Sequence, residues 1–140
     1  RGQGQLPDGG VVWPPGGLPR KERELVGAVT SRVNGCIFCA SVRARKASQL
    51  STQTEDVQRL LDVEPGDELG QGQSPRWQAI IDFAARLSAT PALADVHDLA
   101  RLREQGRDTL EIVDVVQSAA FFSWANRLML TPGEPLWPED

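Results

Sequence analysis

Cys36 and Cys39 are the only cysteines in the chain, and they stand three apart as Cys36-Ile37-Phe38-Cys39. Residues i and i+3 of a helix lie on one face, so two thiols at this spacing can meet. Such a pair can cycle between dithiol and disulfide with little change in its scaffold. One thiolate attacks an oxidised substrate, giving a sulfenic acid with a peroxide or a mixed disulfide with a partner. The second thiol then resolves that product as an internal disulfide. Attack requires the thiolate, and Arg43, Arg45 and Lys46 follow at once with positive charge that favours it. The same cations read without the cysteines are a solvated helix face. Two other readings of the pair stand beside the redox one. The cysteines can serve as small buried hydrophobes, or as half of a zinc site. Zinc needs two further ligands, and the chain offers a single histidine, His97, with no second cysteine pair. His97 lies in Val96-His97-Asp98-Leu99 on an otherwise polar helix and reads as a surface residue rather than a catalytic base.

The elements that must position the pair are helical. Residues 1–18 carry repeated Gly and Pro, which predicts an irregular arm. After Pro19, the residues Leu25, Val26, Val29 and Val33 recur at helical spacing. Asn34-Gly35 ends or bends that helix, because both residues tolerate positive φ. A second helix is expected from Cys36 to Leu50, with the first cysteine at its N-terminus, where free N–H groups and the dipole stabilise a thiolate. Thr54–Val63 reads as a third helix, with Val57, Leu60 and Leu61 on one face, and a Gly/Pro-containing loop follows to Gln73. Ser74-Pro75 is an N-cap with proline in the first helical position, and Trp77, Ile80, Ile81, Ala84 and Leu87 form a stripe beyond it. A short helix from about Ala94 to Gln105 is closed by Gly106. Asp108 and Glu111 then resemble a capping box opening the last helix. The apolar residues of that helix, from Ile112 to Trp124, wrap most of its circumference, so it should be central or face another subunit. No segment alternates with period two. The chain reads as all-α, about six helices at 19–130, with a loop tail at 131–140.

Composition bounds the partners. The chain has 140 residues, 40% of them apolar and 24% charged, the composition of one globular domain. Its net charge of −4 and pI near 5.0 argue against a nucleic-acid surface. No stretch is long and apolar enough to span a bilayer. The first residue is Arg1 and no signal-peptide pattern opens the sequence, so the true N-terminus is expected upstream. Two cysteines at this spacing do not make a secreted disulfide scaffold, and a reducing cytoplasm is expected.

The segment running Glu24-Leu25-Val26-Gly27-Ala28-Val29-Thr30-Ser31-Arg32-Val33-Asn34-Gly35-Cys36-Ile37-Phe38-Cys39 resembles the alkylhydroperoxidase D and carboxymuconolactone decarboxylase family, especially its peroxidase-related branch. Residues 106–114 look like that family's capped start of a long buried helix, and Phe121-Phe122-Ser123-Trp124-Ala125-Asn126-Arg127-Leu128 like its end. The resemblance spans about residues 19–130. It implies that Cys39 attacks peroxide, that Cys36 is the more exposed resolving thiol, and that Glu24 belongs to a proton relay acting on Cys39. It also implies no cofactor and no metal, electrons drawn from a separate protein or small-thiol reductant, and a homo-oligomer (dimer, trimer or hexamer).

Two positions depart from the pattern. The relay histidine of the family falls at Arg43, and Phe38 stands where the namesake enzyme carries a second histidine. Arginine stays protonated and cannot accept the thiol proton, although its charge can lower the thiol pKa. A Glu24–Arg43 ion pair is expected, in which the carboxylate partly cancels that help. General acid–base assistance is worth roughly 100- to 10,000-fold, so attenuated peroxidase turnover is expected while thiol–disulfide exchange survives. The leading expectation is a peroxiredoxin-type thiol peroxidase or disulfide oxidoreductase using Cys39, Cys36, Glu24 and Arg43. The alternatives are a redox sensor or interaction protein of the same fold, and a carboxymuconolactone decarboxylase-like lyase. Asn126 and Arg127 are read as structural, through capping or subunit contacts.

Overall fold

In the computed structural model, which describes residues 17–64 and 68–133, six α-helices and no strand are present among the described residues. They are α1 (Arg20–Asn34), α2 (Ile37–Ser51), α3 (Thr54–Asp62), α4 (Pro75–Ser88), α5 (Val96–Glu104) and α6 (Thr109–Leu130). The helix boundaries follow the local signals. Ser74 Oγ accepts the amide N–H of Trp77 at 3.3 Å, with Pro75 in the first turn. Asp108 and Glu111 close a reciprocal capping box, and Asp95 and Asp98 close a second one on α5. Apart from Gly17 and Leu18, the expected Gly/Pro arm lies outside the described residues, as does most of the tail. Leu18 itself is buried in the core and not part of an arm, its amide donating to Asp114 at 2.8 Å.

Helix α1 is the hub, packed against α2, α3, α4 and α6. Every residue from Glu22 to Ser31 is buried. The apolar stripe therefore describes only part of its packing. Leu25, Val26 and Val29 enter the core as expected, whereas Val33 is exposed and three charged residues, Glu22, Arg23 and Glu24, are buried instead. Charge burial of this kind demands partners. Arg107, itself buried, pairs with Glu22 and also reaches Glu111 at 2.7 Å, while Arg76 approaches Glu22 at 3.3 Å. Arg23 lies 3.5 Å from Asp114 of α6. These ties fix α1 to α4 and α6 along the edge remote from the cysteines.

Helix α6 is two-sided. Ile112, Val115, Ala119 and Phe122 face the core, whereas Leu110, Val113, Trp124 and Leu128 are exposed at helical spacing. Phe122 packs so closely on Gly27 of α1 that a Cβ there would come within 2.7 Å of the ring. No helix among the described residues is long and apolar enough to cross a membrane.

Candidate active site

The turn between α1 and α2 carries the cysteines. Gly35 adopts φ 76°, a left-handed conformation that costs L side chains free energy, and caps α1. The chain then doubles back, with the Cys36 amide donating to Ser31 O at 3.0 Å. This turn is pinned from α6. Asn126, fully buried, donates to Ser31 Oγ at 3.0 Å and accepts from the Asn34 side chain at 3.1 Å. Ser31 Oγ in turn donates to Gly27 O at 2.7 Å. Asn126 is thus structural, as expected, but its task is to hold the cysteine turn. Neither Ser31 nor Asn126 carries a sequence signal for this role, since the link spans 95 residues.

Cys36 is the N-cap of α2, so the helix itself begins one residue later than expected, at Ile37, and Cys39 lies in the first turn. Their Cα atoms are 5.3 Å apart and the sulfurs are joined in a disulfide. The exposure order is the reverse of the one the resemblance implied. Cys36 is only 1% exposed, while Cys39 is half-buried. The cause is the fold of the turn: the Cys36 amide hydrogen bond draws the N-cap residue against α1. Cys36 instead lines a small cleft of about 180 Å³ with Ser31, Arg32, Ser41 and Leu61. Arg32 also borders a larger groove of about 800 Å³, whose walls carry the paired Arg86–Asp98 and Arg101–Asp82. Neither cysteine lines it.

One turn beyond Cys39, Arg43 donates to Glu24 Oε2 at 3.1 Å, the ion pair expected from the sequence. Glu24 is fully buried. Burial raises its pKa above the ordinary carboxylate range, against the opposing pull of Arg43 first and then of Arg20 and Lys46. Arg20, four residues before Glu24 on α1, lies 3.8 Å from its other oxygen, Oε1, which is buried without a hydrogen bond. The i,i+4 spacing of Arg20 and Glu24 is the signal that could have found this cation. The Arg43 guanidinium also stacks over Phe122, 5.3 Å from the ring centroid, a contact that only the packing of α6 supplies. Arg43 is therefore fixed between a carboxylate and an aromatic face, four residues after Cys39 on the same face of α2. His97 is exposed on α5, and its amide N–H donates to Asp95 as part of the cap.

A family model for the carboxymuconolactone decarboxylase family matches residues 8–64, the part that holds Glu24, the cysteine pair and Arg43. No curated protein is significantly similar in sequence. Among solved structures, the chain is similar to a peroxidase-related protein from Silicibacter sp. TM1040, with a TM-score of 0.71 and 25% identity over 88% of this chain and 62% of that one. It is also similar to an alkylhydroperoxidase AhpD core protein, peroxidase-related, from Ralstonia eutropha JMP134, with a TM-score of 0.69 and 25% identity over 88% of this chain and 63% of that one. The debrominase Bmp8 shares the fold, at TM-score 0.68 and 16% identity over 83% of this chain and 60% of that one. The chain thus spans less than two thirds of the length of each of these structures.

Proposed function

We propose that this chain, whose residues 8–64 match the carboxymuconolactone decarboxylase family and whose fold is similar to peroxidase-related structures, is a thiol-dependent peroxidase or disulfide oxidoreductase working through Cys39 and Cys36. The observation that carries this reading is the cysteine pair closed across the first turn of α2, with the Arg43–Glu24 pair one turn beyond.

In the reduced state, the Cys39 thiolate attacks the distal oxygen of a hydroperoxide. The O–O bond breaks, the alkoxide leaves and takes a proton, and Cys39 becomes a sulfenic acid. Cys36 then attacks that sulfur, forming the disulfide and releasing water. A separate thiol reductant restores the dithiol by two successive exchanges. Arg43 contributes charge stabilisation of the thiolate and no proton acceptance, and Glu24 offsets part of that charge. The thiol proton passes to solvent, so turnover is slow beside that of an enzyme with a histidine relay. Cys39, the more exposed sulfur, is the one a substrate or reductant meets first. The working form is a homo-oligomer, with a second copy covering Leu110, Val113, Trp124 and Leu128 of α6.

Oxidation of the reduced protein by stoichiometric peroxide, in wild type, Arg43→His and Cys39→Ser, tests the reading. Cys39-dependent disulfide formation in the wild type is the expected result, with Arg43→His faster by roughly 100-fold if a base is restored. Wild-type thiols inert to peroxide, with reactivity only in Arg43→His, would overturn the peroxidase reading and leave a redox sensor of the same fold.

A further inference from the structure

Helix α2 carries a second feature beside the disulfide. Phe38, Val42, Arg45, Lys46 and Gln49 recur at three- and four-residue spacing, so they share one face. Phe38 is 50% exposed and Val42 37% exposed, two apolar side chains facing solvent on either side of Cys39 in the sequence. The face then turns cationic. A cleft of about 370 Å³ is lined by Arg20, Val42, Arg43, Arg45, Lys46 and Gln49. Four cations thus surround one cleft in a chain whose net charge is −4. The carboxylate beside them, Glu24, is fully buried and engaged by Arg43. Among the described residues, neither Arg45 nor Lys46 forms an ion pair. With one buried carboxylate, Glu24, shared by Arg20 and Arg43, the cleft is electropositive.

We propose that this cleft binds the carboxylate of an amphiphilic substrate whose sulfur or peroxide group reacts at Cys39, its apolar connector lying over Phe38 and Val42. The proposal rests on the thiol chemistry assigned above and adds the substrate class. Helix geometry sets the length of that substrate. Six or seven residues of α2 separate Cys39 from Arg45 and Lys46, a rise of about 9–10 Å. A carboxylate two carbons from the reacting atom cannot span that distance, whereas one at the end of a six-carbon chain comes close to it. Cleft charge and apolar track together therefore select a medium-chain acid over both a short acid and a neutral analogue.

In the exchange step, the substrate thiolate attacks Cys39 Sγ and forms a mixed disulfide. The Cys36–Cys39 bond breaks and Cys36 leaves as a thiolate. A second substrate thiol then attacks the mixed disulfide at the substrate sulfur, releases the substrate disulfide and leaves Cys39 as a thiolate. Two electrons pass from two substrate thiols to the protein.

The test follows reduction of the full chain's disulfide by 6-mercaptohexanoate, 6-mercaptohexanol, 6-aminohexanethiol and the short acid mercaptoacetate. It is run at low and high salt, in wild type, Arg45→Ala/Lys46→Ala and the charge-keeping Arg45→Lys. Rates are compared as ratios between thiols, which removes each thiol's intrinsic reactivity when proteins are compared. The wild type is expected to favour the six-carbon acid over the six-carbon amine, with the ratio falling on the order of tenfold in the double alanine variant and in high salt. Arg45→Lys should keep it, and mercaptoacetate should gain less from the cations. Equal ratios in wild type and the double variant would overturn the proposal, as would a wild-type ratio insensitive to salt. A carboxylated alkyl hydroperoxide and its methyl ester then separate the two readings. Charge-selective reduction by thiols with inertness to both peroxides refutes the peroxidase alone. Oxidation by both peroxides at equal rates, without charge selectivity among the thiols, refutes the anion cleft alone.

Discussion

Glu24 is a carboxylate held in the interior by one strong ion pair, and its titration should be visible in stability. Its folded pKa is raised, so between the unfolded value, about 4.3, and the folded value the native state holds the extra proton. This group's contribution is complete below that window and is lost as pH rises through it. Thermal melts of the oxidised protein should therefore show Glu24→Gln gaining on wild type as pH goes from 4 to 7. A difference that runs the other way would mean that Arg43, Arg20 and Lys46 outweigh desolvation. Arg43→Ala removes the carboxylate's hydrogen-bonded partner and its stacking on Phe122. Its cost should be about 1–3 kcal/mol at pH 7, below the roughly 3–5 kcal/mol of a fully buried pair, because Arg43 is partly exposed and Arg20 remains nearby. The loss should shrink as pH falls and Glu24 takes up its proton. Sequence reading reached Glu24, Arg43 and their pairing through spacing and resemblance. It did not reach the burial of Glu24, because Lys21-Glu22-Arg23-Glu24 has the composition of any charged first turn.

The cysteine turn shows how an element is held from outside itself. Gly35 has open space around its Cβ position, so a substitution there tests the backbone alone. Gly35→Ala should cost about 1 kcal/mol in chemical denaturation, and Gly35→Asn less, since asparagine tolerates the left-handed region. Asn126→Ala removes both ties of α6 to the turn. It should cost about 1–3 kcal/mol by leaving Ser31 Oγ and the Asn34 amide without that partner. A denaturation midpoint unchanged in Asn126→Ala would show that the turn holds without α6. Helix starts at Ser74 and Asp108 and the stop at Gly35 were legible because caps and positive-φ glycines are local. The exposure order of Cys36 and Cys39 was not, because it depends on how the turn packs on α1.

At the scale of the whole molecule, charge and apolar surface are distributed against simple expectation. The buried Glu22–Arg107 pair ties α1 to the α5–α6 junction. Arg107→Ala should destabilise by about 3–5 kcal/mol, since it removes the buried partner of the buried Glu22 carboxylate and leaves the half-exposed Arg76 at 3.3 Å. The outer face of α6 poses the opposite problem, with apolar side chains directed at solvent. If a second copy covers it, Trp124→Glu with Leu128→Glu should reduce the sedimentation coefficient to that of a monomer while leaving the helical circular dichroism in place. A wild-type protein already monomeric at micromolar concentration would remove self-association from the account.

The sequence alone determined the helices, the caps at Ser74 and Asp108 and the cysteine pair, because each is written in periodicity or short spacing, whereas the Glu24–Arg43 partnership, 19 residues apart, was implied by the resemblance. Only the tertiary structure decided which charges are buried, which cysteine is sheltered, that Phe122 and Asn126 support the site from α6, and that Arg20, Arg45 and Lys46 share one cleft. The reason is physical. Helix formation responds to neighbours within a turn, whereas burial and electrostatic environment depend on residues up to a hundred positions away, brought together only when α1 is enclosed.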